Sequence, residues 1–132
     1  MTGLFCIAAL MYFEARGEGP TAMMAVGEVA INRLENPRWP NDICEVAHQP
    51  RQFSYTHDGL SDDPKQHINN SIDAQAYEIA KVIAKELLID GSRLGLSSTH
   101  FHTRDVAPYW SHIYERDGMI GRHVFYTAKK NQ

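Results

Sequence analysis

Two glutamates, Glu14 and Glu18, stand in the stretch YFEARGEG at residues 12–19, where an apolar run ends and glycines break the chain. Glu14 follows Met11 by three residues, Leu10 by four and Ile7 by seven, a spacing that sets its Cβ beside an apolar helical stripe. A carboxyl group dehydrated there favours its neutral form. Its pKa then rises above the ~4.3 of a free glutamate, as a general acid working near neutral pH requires. The competing reading pairs Glu14 with Arg16 or another cation and lets it close the helix on a polar note. Glu18, between Gly17 and Gly19 and just ahead of Pro20, suits a carboxylate that accepts main-chain N–H groups at a helix start. Its rival role is a second catalytic carboxylate.

A second set of groups lies in THFHT, where His100 and His102 alternate and would share one face of a strand. With His123 or His112 they would make a three-histidine zinc site. The spacing fixes no third ligand, and with 7 histidines in 132 residues pairs arise easily by chance.

The elements that must carry these groups follow from periodicity and punctuation. Leu4, Ile7, Ala8, Met11 and Ala15 recur at helical spacing, with Leu10 and Phe13 widening the stripe, so the chain opens with a largely buried helix. Gly17 and Gly19 stop it, and Pro20 suits the first turn of a second helix, in which Ala22, Val26, Val29, Ala30 and Arg33 keep the period. Prolines 37, 40, 50 and 64 mark a long irregular connection, with a short helix expected near residues 42–48. Within it, RQFSYTHDG carries amide, hydroxyl and aromatic groups suited to a polar ligand. Asn70 or Ser71 can cap a third long helix whose apolar face includes Ile72, Ala76, Ile79, Ala80, Ile83, Ala84 and Leu87, and Gly91 ends it. THFHT and IGRHVFYT are expected to pair as strands, joined by a loop with one helical turn. The fold class is α+β, mostly helical with a small antiparallel sheet.

Composition limits the partners. A chain of 132 residues with 43% hydrophobic and 22% charged residues is one domain of ordinary globular type. A formal charge of −3 and the lack of any Lys/Arg-rich run speak against nucleic acid, and the eight-residue apolar opening is far short of the ~20 residues of a membrane span. It also lacks the basic residues that precede the apolar core of an export signal. Cys6 and Cys44, both among apolar neighbours, are expected as buried free thiols.

The motifs AALMYFEARGEG, AVGEVAINR, QFSYTHDG, THFHTRDVAPYW and IGRHVFY, in this order and spacing, resemble the cell wall hydrolase family of the SleB and CwlJ type. This family supplies the catalytic domain of spore-cortex-lytic enzymes and of related bacterial and phage lysins. The likeness runs over residues 8–126, and the form THFHT…PYW is closer to the proteobacterial and phage branch. It implies a lysozyme-like fold and cleavage of peptidoglycan glycan strands between N-acetylmuramic acid and N-acetylglucosamine. Glu14 would be the acid of a lytic transglycosylase, with no cofactor and no metal. Gln52, Ser54 and Tyr55 would hold acetamido and hydroxyl groups, Tyr109 and Trp110 would stack on sugars, His100, His102 and His123 would line the cleft, and Glu18 would count among the substrate-binding residues. Arg33 is expected to pair with Glu18 or Glu14. The expectation for the whole is a monomeric phage endolysin, held in the host cytoplasm until its release to the wall or periplasm. A hydrolytic muramidase, a zinc peptidase or amidase using His100, His102 and His123 with Glu14 as base, and a silent glycan-binding module are the alternatives.

Overall fold

Helix α1 (Gly3–Ala15) is apolar on every side, with every residue from Cys6 to Tyr12 buried and Ala15 as well. That is the pattern of a helix enclosed by others. Helices α2 (Pro20–Leu34), α3 (Ile43–Ala47) and α4 (Ser71–Asp90) all pack against it. The structure, a computed structural model, describes residues 3–47, 63–91 and 93–128, so Gln52, Ser54 and Tyr55 lie outside the described residues.

The helices meet closely where side chains permit. A Cβ added to Gly27 would stand 2.5 Å from Leu87 Cδ1 and 2.7 Å from Met11 Sδ, so this glycine lets α2 approach α1 and α4. Asn70 caps α4 by accepting the Asp73 N–H at 2.8 Å, and Gly91, with φ 75°, ends it. Its buried face is Ala76, Tyr77, Ala80, Ile83, Ala84 and Leu87. Ile72 and Ile79 are exposed, the former by 75%, so the apolar face is narrower than the periodicity implies.

Two further expectations are corrected. Cys6 and Cys44 are not free thiols: they form a disulfide joining α1 to the start of α3, with Cα atoms 5.2 Å apart. Spacing alone cannot pair two cysteines; the packing of α3 on α1 brings them within bridging distance. The sheet also has three strands, β1 (His100–Thr103), β2 (Glu115–Ile120) and β3 (His123–Thr127), in the antiparallel order β1-β3-β2. Strand β2, ERDGMI, falls in the stretch read as loop, because its charged residues and Gly118 have little strand preference. It is an edge strand with a register irregularity between Arg116 and Gly118, and such strands are commonly charged and bulged.

Helix α2 holds the sheet to the helices through polar side chains on one face. Glu28, fully buried, accepts main-chain N–H groups from Arg93 (3.3 Å), Leu94 (2.7 Å) and Leu96 (3.2 Å). One turn on, Asn32 donates to the carbonyls of Leu96 (2.8 Å) and Ser98 (2.9 Å), and Arg33 Nε donates to that of Thr99 at 2.6 Å. These bonds satisfy main-chain groups of the partly buried segment that leads into β1 and fix where that strand begins. No helix among the described residues is long and apolar enough to cross a membrane.

Candidate active site

Glu14 sits in the last turn of α1 and opens on a cleft of about 280 Å³, whose other walls are Gly17, Glu18, Thr103, Asp105, Arg122 and His123. The corner after α1 supplies Glu18, the segment after β1 supplies Asp105, and the β2–β3 turn and β3 supply Arg122 and His123. Burial pushes the Glu14 carboxyl up to about 7, with the neighbouring Glu18 carboxylate acting in the same sense. Its Oε1 is buried and has no hydrogen-bond partner among the described residues. A protonated carboxyl with a free oxygen, poised near neutral pH, can deliver a proton to an atom bound in the cleft.

Glu18 is held from the sheet side. Its Oε1 accepts the main-chain N–H of Arg122 and faces His123 Nδ1 at 3.0 Å. Asp105 meets the Arg122 guanidinium at 3.3 Å. Arg16, on the turn after Glu14, donates to the Tyr12 hydroxyl at 2.9 Å and lies 4.0 Å from Asp73. Among the described residues no ion pair joins it to Glu14.

The histidines divide between the two faces of the sheet. In β1 and β3 the register places Thr103 opposite His123 and Phe101 opposite Phe125, and these face the helices and the Glu14 cleft. His100 and His102 alternate with them and face the other way. There His100 lies between Trp39 (5.9 Å), Trp110 (5.0 Å) and Tyr114 (4.8 Å), and burial, reinforced by Arg33 and Arg38, pushes its pKa down to about 3. His102 stacks on Tyr126 and meets its hydroxyl at 3.0 Å through Nε2. The two rings therefore do not line the cleft at Glu14. His100, His102 and His123 cannot converge on one ion, and among the described residues no group of three histidine, cysteine or carboxylate side chains does so. The zinc alternative loses its ligand set by geometry.

Of the aromatic pair, Tyr109 is 76% exposed, whereas Trp110 is packed with His100, His102, Tyr114 and Tyr126. Arg33 lies over Trp39 and donates to the Thr99 carbonyl, and among the described residues no ion pair to Glu14 or Glu18 is seen, so the expected pairing is not found there. Thr103 and Arg122 were invisible to sequence reasoning as cleft residues. Thr103 carries only the parity of its strand, and Arg122 reaches the site through a hairpin whose first strand is not apparent from composition.

Comparison with known proteins gives the same frame. The cell wall hydrolase family matches residues 17–126, a span that includes Glu18 and begins three residues after Glu14. The chain is 27% identical over 123 residues to a spore cortex-lytic enzyme of Halalkalibacterium halodurans, covering 90% of this chain and 33% of that protein. It is 25% identical over 123 residues to one from Bacillus cereus, covering 42% of it. The chain thus spans less than half the length of these relatives. Among solved structures, the catalytic domain of the germination-specific lytic transglycosylase SleB from Bacillus anthracis superposes with a TM-score of 0.71 at 24% identity, covering 95% of this chain and 93% of that one. The catalytic domain of Bacillus cereus SleB gives 0.64 at 23%, covering 95% and 89%. The α+β, lysozyme-like architecture is therefore that of the SleB catalytic domains. With residues 17–126, most of the chain, spanned by that match, the chain belongs to the cell wall hydrolase family.

Proposed function

We propose that the protein is a lytic transglycosylase that cuts peptidoglycan glycan strands between N-acetylmuramic acid and N-acetylglucosamine. The observation that carries this reading is Glu14: a carboxyl group in the wall of a cleft, its pKa pushed near neutrality by burial, with one buried oxygen that has no hydrogen-bond partner among the described residues. Protonated Glu14 gives its proton to the glycosidic oxygen, and the N-acetylglucosamine leaves with a 4-hydroxyl. The Glu14 carboxylate then takes the proton from the 6-hydroxyl of the muramic acid, whose oxygen bonds to C1 and closes a 1,6-anhydro ring. No water enters the product.

Inverting or retaining hydrolysis needs a second carboxylate free to activate water or attack C1. Among the described residues the two carboxylates that share the cleft with Glu14 are both engaged, Glu18 by the Arg122 N–H and His123, and Asp105 by the Arg122 side chain. That supports the one-acid route. Tyr109, with its ring largely in solvent, is suited to stack on a sugar. The Cys6–Cys44 bond supports action on the oxidising side of a membrane, where the wall lies and disulfides persist. A phage or proteobacterial lysin context rests on the THFHT form alone. The test is mass spectrometry of wall fragments made by the purified protein: ends in 1,6-anhydro-N-acetylmuramic acid are expected, and severed peptides with intact glycan would overturn the assignment.

A further inference from the structure

The ionisable groups facing Glu14 from the described elements are Glu18 from its own corner, Asp105 from the segment after β1, Arg122 from the β2–β3 turn and His123 from β3. Asp105 and Arg122 pair with each other, so their fields at Glu14 largely cancel. Glu18 remains as the anion that Glu14 feels. Its place is built rather than incidental. His123, 1% exposed, is set against the Phe101 ring at 5.2 Å and turns Nδ1 toward Glu18, a carboxylate that can only accept, so Nδ1 carries the proton. Gly121 has φ 59°, and a Cβ there would stand 2.6 Å from Glu18 Oε1 and 3.2 Å from Glu18 Cβ. The turn thus leaves room for this side chain and presents the next N–H to it.

We propose that Glu18 is a positioning residue for the acid, clamped by the Gly121–Arg122 turn and His123 so that it locks the corner after α1 to the sheet and holds a fixed negative charge beside Glu14. This rests on the reading of Glu14 as the acid. A like charge held nearby favours the protonated form of Glu14, the form that donates.

The experiment is a titration of the Glu14 carboxyl by 13C NMR, run beside a pH profile of wall turnover, in the wild type and in Glu18→Gln. Glutamine keeps the shape and can still accept the Arg122 N–H, so the fold is retained. The Glu14 midpoint should fall by about one unit, the size of effect expected from one nearby like charge. The alkaline limb of the turnover profile should move with it, so that activity relative to wild type is roughly tenfold lower at pH 8 than at pH 5. Gly121→Ala, which crowds Glu18 out of its seat, should move the midpoint in the same direction. A folded Glu18→Gln protein whose Glu14 midpoint is unmoved overturns the proposal, however much turnover drops. A midpoint that moves while the alkaline limb stays in place overturns Glu14 as the acid, and the role of Glu18 with it.

Discussion

The carboxylate of Glu28 accepts the main-chain N–H of Leu94 at 2.7 Å from a fully buried position in α2, 66 residues earlier in the chain. With the N–H groups of Arg93 and Leu96 on the same side chain, it ties the segment that leads into β1 to α2. Removing it strands three donors. We expect Glu28→Ala to cost about 2–3 kcal/mol, the range for taking a charged acceptor away from part-buried main-chain donors. Chemical denaturation measures it, and a loss under about 1 kcal/mol would show that the 93–96 segment is held by other contacts.

The disulfide makes a separate prediction about the unfolded chain. Cys6 and Cys44 are 38 residues apart and are the only cysteines, so reduction frees one loop of that size. By loop entropy the bond contributes about 3–4 kcal/mol, and Cys6→Ser with Cys44→Ser should lose that much. A thiol reagent added to the unfolded, unreduced protein should find no thiol, and after reduction two. Two thiols before reduction would restore the free-cysteine reading.

What the residues disclosed in advance was whatever depends on near neighbours. The burial of α1, the Asn70 cap and Gly91 stop of α4, and the dehydration of Glu14 all follow from residues within a turn or two. Groups that depend on register were hidden. Glu18 finds Arg122 and His123 across 104 and 105 residues, through a hairpin whose β2 strand, charged and at an edge, shows no strand pattern. His100 and His102 show the other limit. Alternation places them on one face correctly, but only the pairing of Thr103 with His123 says that this face looks away from Glu14. Glu28 carries a local signal: Glu28, Asn32 and Arg33 put polar side chains within about a turn of one another on a largely apolar helix, as for groups serving main chain.

Raising the pKa of a carboxyl carries a cost in stability. Glu14 shifts from 4.5 to about 7, so between these values the native state holds a proton that the unfolded chain has released, and stability falls as pH rises through that window. The cost is absent below about pH 4.5 and complete above about pH 7, where it reaches on the order of 3 kcal/mol. Glu14→Gln should therefore abolish wall lysis and, at pH 8, raise the thermal midpoint, with little change at pH 4.5. His100 acts oppositely: with its folded value depressed to about 3, stability falls as pH drops below 6.5. Comparing wild type and variant at each pH cancels the His100 contribution. A variant less stable than wild type at pH 8 would mean that Glu14 makes favourable contacts as an anion.

The chemistry itself is tested by the fate of water. If the 6-hydroxyl of the muramic acid is the nucleophile, each cut leaves a 1,6-anhydro end that is one water lighter than a hydrolytic end, and digestion in heavy-oxygen water places no label on it. The prediction is supported by Glu18 and Asp105, the cleft carboxylates among the described residues, both being engaged, since a hydrolase needs a second carboxylate free. Labelled reducing muramic acid as the main product would turn attention to these two carboxylates, with Asp105 first because its partner is an exposed arginine. Asp105→Asn would then lower turnover by about 10²-fold or more, the loss expected for a general base. Under the transglycosylase mechanism the same substitution leaves the anhydro product in place. Labelled reducing glucosamine would move the cut to the other glycosidic bond, and with it the position in which a sugar must sit against Glu14.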